Sequence, residues 1–353
     1  MRVHNEDEQM KIAILSPIAW RTPPRMYGPW EQVASNITEG LVKKGLDVTL
    51  FASGDSVTAG KLAWTSDKPY AEDPSADVKV NECLHISRLM ERADEFDIIH
   101  NHYDFLPLTY LRLIKTPVLT TIHGFSSALI VPVYKKYNNN TNYVSISNAN
   151  RHPELNYIAT VYNGINTNDF TFCNEPGDYL LFFGRIHPEK GTLEAIELAK
   201  YCGKKLIIAG LIQDRDYFNT QILPCIDNKM VVYAGNAGPQ QRNELMGNAL
   251  ALLHLVLFDE PFGLSVAEAM CCGTPVVAFN RGSMPELIQQ QKTGFLVSNI
   301  EEAADAVARV SSIKRKDCHQ WAVAMFSMEK MVDDYVKVYE RILSERIRNQ
   351  ELG

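Results

Sequence analysis

The chain has 353 residues, of which 46% are hydrophobic and 22% are charged, and its formal net charge is −7. This composition is typical of a soluble globular protein and excludes an intrinsically disordered chain. The negative charge argues against a dedicated nucleic-acid binder, which would normally be basic. The length exceeds one ordinary hydrophobic core, so we expect about two domains.

The cysteines and the apolar runs predict a cytoplasmic protein. The seven cysteines are scattered and form no CxxC pair, which favours reduced thiols. No apolar stretch approaches the roughly 20 residues that a membrane-spanning helix needs. The run that begins at Ile12 is too short for a signal peptide. Residues 1–10, rich in Asn, Glu and Asp, are predicted to be a disordered extension, and peripheral contact with a membrane surface stays open.

In the first half of the chain, short apolar runs alternate with helical patterns. The strand Lys11–Ser16 is followed by a long turn and by a helix from Trp30 to Lys44, and the segment from Ser53 to Val80 is predicted to be mostly loop. Further strands are predicted at Val48–Ala52, Phe96–His100, Pro117–Ile122, Tyr143–Ser147 and Ile158–Tyr162. Such alternation predicts a parallel sheet with helices on both faces.

A second series of the same kind follows a loop near residues 163–178. Its predicted strands are Tyr179–Phe183, Lys205–Gly210, Met230–Ala234, Ala249–Leu257 and Pro275–Phe279. We therefore expect two doubly wound domains, over residues 11–165 and 166–325. Residues 326–353 are predicted to be a C-terminal helix, with a strongly helical pattern from Met328 to Ile347, and this helix could pack back on the first domain.

The order of strands in the second domain locates a ligand site. With the common order 3-2-1-4-5, the loops after its first and fourth strands flank the switch point where ligands bind. The first of these loops carries Arg185 and Lys190, and the second carries Glu260 and Glu268. We therefore expect the two cations to face the two carboxylates across one crevice.

These side chains suit a diphosphate that is joined to sugars. A helix predicted to begin near Gly263 would offer free backbone N–H groups to a phosphate. Arg185 and Lys190 could neutralise a leaving diphosphate, and the two glutamates could accept hydrogen bonds from hydroxyls. The alternative is a structural salt bridge between Arg185 and Glu260 or Glu268, since surface ion pairs are common and weak.

Several spaced motifs resemble the retaining glycosyltransferases of family 4, and the similarity runs from about Lys11 to Tyr339. The motifs are Gly184–Gly191, Glu260–Glu268, Ala269–Val277, Pro285–Ile288, Thr121–Gly124, Ile146-Ser147 and Val161–Ile165. The resemblance implies an α/β protein of the GT-B fold, with two Rossmann-like doubly wound domains facing each other across a cleft.

The resemblance also implies roles for single residues. Arg185 and Lys190 match the residues that hold the donor diphosphate. Glu260 matches the glutamate that touches the donor sugar, and Glu268 the one that contacts the ribose. His123 matches a histidine that reaches the sugar near the reacting carbon. The catalytic residues are accordingly predicted to be Glu260, His123, Arg185 and Lys190.

The rest of the donor site is expected from backbone groups. It would be formed by Gly28, in the loop after the first strand, and by Phe262, Gly263, Leu264 and Ser265 at the helix start. Here the chain departs from the family, because the usual glycine pair is Gly28-Pro29, which restricts the backbone. The acceptor residues are predicted to be Tyr27, His100 and His102. The alternative for the two histidines is a surface position with satisfied hydrogen bonds, and the alternative for Tyr27 is packing.

The implied reaction moves a sugar from a nucleoside diphosphate sugar, UDP or GDP, to a hydroxyl acceptor with retention of anomeric configuration. The acceptor would be a glycan, a lipid-linked sugar or a small molecule, and no metal or cofactor is expected. The alternatives are a nucleotide-sugar epimerase of related fold and a catalytically inactive nucleotide-sugar-binding subunit. A dehydrogenase is disfavoured because neither half has G-x-G-x-x-G after its first strand.

Overall fold

The computed structural model describes residues 9–351, so most of the extension predicted over residues 1–10 lies outside the described residues. The strands are β1 (Lys11–Leu15), β2 (Asp47–Phe51), β3 (Lys61–Ala63), β4 (Ile98–Asn101), β5 (Val118–Ile122), β6 (Asn142–Ser145), β7 (Tyr157–Thr160), β8 (Tyr179–Phe183), β9 (Lys205–Ala209), β10 (Val231–Tyr233), β11 (Ala251–His254), β12 (Val276–Phe279) and β13 (Gly294–Val297). The α-helices are α1 (Pro29–Lys43), α2 (Val78–Glu91), α3 (Val131–Tyr137), α4 (Thr192–Tyr201), α5 (Arg215–Tyr217), α6 (Pro239–Asn248), α7 (Leu264–Cys271), α8 (Met284–Leu287), α9 (Ile300–Arg309), α10 (Arg315–Phe326) and α11 (Met328–Glu351).

The chain divides into two compact units. The first contains the described residues up to Ile146, the segment Arg151–Gly164 and the chain from Met328 onward. The second contains Ser147–Asn150 and Ile165–Ser327. Each unit is an α/β domain built around its own parallel sheet.

In the described part of the first unit, seven parallel strands lie in the order β3-β2-β1-β4-β5-β6-β7. The strands predicted for this half are all present, with ends shifted by a few residues. One strand, β3, falls within the segment predicted as loop. It has only three residues and begins with an exposed lysine, so its pattern is too short to be distinguished from a loop.

The C-terminal helix α11 packs on the first unit. Tyr335 and Tyr339 are fully buried, and the hydroxyl of Tyr335 lies 2.7 Å from Thr121 Oγ1 of β5. At the edge of the contact, Lys44 Nζ lies 2.5 Å from the carboxylate of Asp333. The apolar stripe of α11 thus covers strand residues that are about 200 positions earlier in the chain.

The first turn of α1 buries a carboxyl group. Glu31 is 3% exposed, and burial raises its pKa to about 7 even though Trp20 N donates to it over 3.2 Å. The raised pKa means that the folded chain holds the carboxyl proton of Glu31 more tightly than the unfolded chain does. The contribution of Glu31 to stability is therefore greatest below pH 4.5. It is lost as the pH rises through about 7.

Glu31→Gln is therefore expected to stabilise the protein at pH 8 relative to the native chain, by roughly 1 to 3 kcal/mol, with a smaller difference at pH 5. The measurement is urea unfolding at both pH values. Glu91→Gln, which changes an exposed carboxylate on α2, is the control. A pH-independent difference between Glu31→Gln and the native chain would contradict the prediction.

In the second unit, the described strands lie in the order β10-β9-β8-β11-β12-β13, and all neighbouring strands are parallel. The predicted order 3-2-1-4-5 is confirmed for the first five. A sixth strand, β13, begins at Gly294 and extends the sheet beyond them. The switch point lies between β8 and β11, where the chain order reverses.

Among the described residues, no helix combines the length and the apolar character that crossing a membrane requires.

Candidate active site

The loop after β8 is shaped by a glycine at its end. Gly191 has φ 74°, and a Cβ at this position would lie 1.9 Å from the carbonyl oxygen of Leu255. The backbone of this loop therefore approaches the chain after β11 as closely as only glycine allows. Just before it, the short 3-10 turn Pro188–Lys190 directs Lys190 toward that same chain.

Lys190 and Glu260 form an ion pair at the switch point. Lys190 Nζ lies 2.5 Å from Glu260 Oε2, and the two side chains are 14% and 13% exposed. The ammonium group also lies 4.5 Å from the ring centre of Phe258. The lysine predicted to bind phosphate and the glutamate predicted to bind sugar are thus brought together, mostly shielded from water.

His254, at the end of β11, adds a third polar group. Its Nε2 lies 3.8 Å from Glu260 Oε2, and within the described chain this buried nitrogen has no hydrogen-bond partner. Burial lowers its pKa to about 4, with Glu260 opposing and Lys190 reinforcing the shift. The imidazole is therefore neutral at pH 7, and its contact with the carboxylate is polar but is not an ion pair.

The helix α7 begins beside this pair. Gly263 caps it with φ 90°, and a Cβ there would lie 2.8 Å from the Met284 side chain. Phe262 is buried, whereas Leu264 and Ser265 open the helix with amides that have no partner within it. This confirms the predicted helix start and leaves donors available for an anion.

The segment Ser147–Asn150 makes two polar contacts within the second unit, and the first of them is with the loop before α7. Ser147 Oγ donates to the carbonyl oxygen of Pro261 over 2.6 Å. The carboxylate of Glu286 accepts from the backbone N–H groups of Asn148 and Ala149, both over 2.8 Å. Glu286 thus attaches the segment Ser147–Asn150 to the second unit, and Ser147 supports the loop that carries Glu260.

Glu268 is buried and paired with a cation that the sequence did not indicate. Its Oε1 lies 3.0 Å from Arg242 of α6, whose guanidinium also covers the ring of Phe170 at 5.2 Å. Burial raises the pKa of Glu268, Arg242 opposes this, and Asp169 adds to it. The expectation that Arg185 and Lys190 both face the two glutamates is therefore only half right.

The part of the prediction that concerns Arg185 needs correction. Arg185 donates through its guanidinium to Gln213 Oε1, in the loop after β9, and not to either glutamate. The alternative of an Arg185 salt bridge with Glu260 or Glu268 is wrong for the same reason. Arg185 is half-buried and follows β8, in the same loop as Lys190.

Two predicted residues lie in the loop that precedes α1. Gly28 caps this helix with φ 154°, and a Cβ there would lie 2.8 Å from Pro24 Cβ. Pro29 occupies the first helical position, where its missing N–H costs no hydrogen bond. Tyr27 is half-buried and packs edge-on against Trp20, with ring centres 6.4 Å apart.

The predicted histidines of the first unit form one buried group. His123 is 6% exposed, stacks on Trp30 with ring centres 5.3 Å apart, and has its pKa lowered by burial to about 3. His102 is fully buried, and its Nδ1 lies 2.9 Å from His123 Nε2.

The acceptor role predicted for His100 is wrong. This side chain is fully buried, with Nδ1 2.7 Å from the Tyr339 hydroxyl and Nε2 2.8 Å from Thr121 Oγ1. Both ring nitrogens are thus occupied within the unit, and neither is available to a ligand. His102 is likewise withdrawn from direct contact with an acceptor by its burial.

Two family models match adjoining parts of the chain. Residues 30–169 match the model of glycosyltransferase family 4, and residues 168–327 match that of the glycosyl transferases group 1. An uncharacterized glycosyltransferase of Methanocaldococcus jannaschii is 24% identical over an alignment that covers 86% of this chain and 89% of that protein.

Solved structures of the GT-B fold are similar over almost the whole chain. Sucrose-phosphate synthase of Thermosynechococcus elongatus superimposes with a TM-score of 0.79 at 17% identity, covering 96% of this chain and all of that one (100%). The Anabaena protein HepE, solved with UDP and glucose, gives a TM-score of 0.73 at 19% identity and covers 94% of this chain and 100% of its own. The two Rossmann-like units predicted from the sequence are confirmed.

Proposed function

The chain belongs to the family-4 glycosyltransferases, and from that membership we propose that it is a retaining enzyme that transfers a hexose from a UDP-hexose or GDP-hexose to a hydroxyl group, with release of UDP or GDP. The acceptor is a glycan, a lipid-linked sugar or a small molecule. The observation that best supports this proposal is the ion pair between Lys190 and Glu260, which is mostly shielded from water and lies beside the start of α7 at the switch point of the second unit. HepE, a neighbour in fold, was solved with UDP and glucose, which supports a nucleotide-sugar donor.

In this proposal the charges of the pair separate when the donor binds. The diphosphate takes Lys190, together with Arg185 and the first amides of α7. The carboxylate of Glu260 then accepts hydrogen bonds from hydroxyls of the donor sugar, and Glu268 accepts from the ribose. Since these contacts form where water is largely excluded, each is stronger than its equivalent at the surface.

The cations also replace a metal in this proposal. As the bond to the anomeric carbon breaks, negative charge grows on the leaving diphosphate, and Lys190 and Arg185 stabilise that charge. His123 and the backbone at Gly28 complete the proposed donor contacts, on the resemblance of their motifs alone. We place the reaction in the cytoplasm, in accordance with the prediction from the cysteines.

Thermal unfolding with a panel of UDP, GDP, ADP and their glucose conjugates tests the donor. We expect a UDP or GDP compound to raise the Tm, because a ligand at about 100 times its Kd stabilises the folded state by about 2.7 kcal/mol. ADP compounds should have little effect. If none of the nucleotides changes the Tm, the proposed donor site is wrong.

The product distinguishes the proposal from its alternatives. With the donor that binds and an added acceptor, proton NMR of the anomeric signal should show retained configuration, and EDTA should leave the rate unchanged. An epimerase would rearrange the donor sugar without any acceptor. An inactive binding subunit would give the Tm shift and no product.

A further inference from the structure

Two histidines meet at the end of the sheet of the first unit. β4 and β5 are parallel neighbours, with Asn101 opposite Thr120, so the residues that follow each strand lie at the same edge. His102 follows β4 directly and His123 follows β5 directly. Their rings lie 5.2 Å apart, and one hydrogen bond of 2.9 Å joins His102 Nδ1 to His123 Nε2.

Both rings are neutral. Burial lowers the pKa of His123 to about 3 and lowers that of His102 well below its ordinary value. A neutral imidazole carries one proton, so one of its nitrogens donates and the other accepts. In the bond between the two rings, either His102 donates through Nδ1 or His123 donates through Nε2.

The surroundings of His102 decide between these choices. Its Nε2 is buried and, among the described residues, has no hydrogen-bond partner. If His123 donated, the proton of His102 would have to lie on this Nε2, as a buried N–H without an acceptor. Unpaired buried N–H groups are rarer in proteins than acceptors that lack a donor. The favoured arrangement therefore has the His102 proton on Nδ1.

We propose that His102 is a positioning residue that holds His123 in the Nδ1–H tautomer. With its Nε2 occupied as an acceptor, His123 presents Nδ1–H as a donor to an oxygen atom of the substrate and does not act as a base. The stacking of Trp30 on His123, at an interplanar angle of 19°, fixes the plane in which this donor points. The inference rests on the proposed function only where it assigns the substrate as the partner of Nδ1.

The tautomer can be observed without any substrate. The full chain, labelled with ¹⁵N-histidine, is examined by long-range proton–nitrogen correlation near pH 7, where the two tautomers give distinct nitrogen shifts. The chain has nine histidines, and the His123 signal is identified by its absence from His123→Gln. We expect Nδ1–H at His123, and an Nε2–H signal would overturn the proposal.

A matched pair of variants tests the cause. In His102→Asn the side-chain amide N–H replaces the Nδ1–H of His102 as the donor to His123 Nε2, so His123 should keep Nδ1–H. His102→Asp places an acceptor there, so His123 should change to Nε2–H. His100→Asn, which alters an equally buried histidine within β4, should leave the His123 tautomer unchanged. An unchanged tautomer in a folded His102→Asp protein whose carboxyl ¹³C shift shows it to be ionised would also overturn the proposal. If this variant does not fold, or if its carboxyl group is protonated, the native spectrum decides.

Turnover of UDP-glucose gives the functional measurement. We expect kcat/KM of His102→Asp to fall about 10- to 100-fold below that of His102→Asn, since one hydrogen bond to the substrate is lost and a polar group is left unpaired. Equal rates for the two variants would refute the assigned substrate contact. If the native protein turns over no nucleotide sugar, the proposed function fails, while the spectra still decide the tautomer.

Discussion

Lys190→Met is expected to reduce sugar transfer by at least about 100-fold while the protein still folds. The substitution removes the ammonium group that could neutralise a diphosphate, together with the contact of that group with the Phe258 ring, and leaves an apolar side chain of similar length. A hydrogen bond between charged groups contributes about 1.5–3 kcal/mol, which corresponds to about 10- to 100-fold. The loss should exceed this range in the transition state, where the charge on the leaving diphosphate is greatest.

The same substitution leaves Glu260 as a carboxylate without its cation, only 13% exposed. Removing one partner of a shielded pair destabilises a protein more than removing both. The free energy of unfolding should therefore fall in Lys190→Met and in Glu260→Gln, and should partly recover in the double variant. Activity should not recover, because both substrate contacts are then absent.

This combination separates a structural ion pair from a substrate-binding one. Transfer rates and urea unfolding are measured on the native chain, both single variants and the double variant. Lys204→Met, which removes an exposed lysine of the same unit, should change neither quantity. If activity returned along with stability in the double variant, Lys190 and Glu260 would serve the fold alone.

The meeting of Lys190 and Glu260 could be predicted because it depends on the order of strands. Each residue follows a strand with a clear apolar pattern, and the switch point brings the ends of β8 and β11 together whatever the side chains are. The start of α7 could be predicted for a similar reason. Its glycine cap and the apolar positions after it are local signals within a few residues.

The partners from more distant parts of the chain could not be predicted. Arg242 lies in α6 with polar neighbours, and its sequence resembles that of any solvent-exposed helix. His100 has the pattern of a strand end, but it is buried because α11 covers it, 239 positions later. Arg185 donates to Gln213, which depends on the conformation of the loop after β9. Packing over such separations leaves no periodic signal in a single sequence.

The close approach of two loops predicts the second large effect, at Gly191. Its φ of 74° belongs to the left-handed region, where an alanine costs about 1–2 kcal/mol. A Cβ would in addition lie 1.9 Å from the oxygen and 2.6 Å from the carbon of the Leu255 carbonyl group. Those atoms are backbone and cannot rotate away, so the two loops must separate, which adds about 1–3 kcal/mol.

Gly203 provides the matched control. It follows the other end of α4, has φ 61°, and a Cβ there would have no atom within 4 Å. Gly203→Ala should therefore cost only the backbone term, about 1–2 kcal/mol in urea unfolding, and should leave sugar transfer unchanged. Gly191→Ala should cost about 2–5 kcal/mol in total. It should also slow transfer more than about 10-fold, because it moves Lys190 away from the chain that carries Glu260. Equal losses of stability in the two variants would mean that the contact with Leu255 contributes nothing beyond the left-handed backbone.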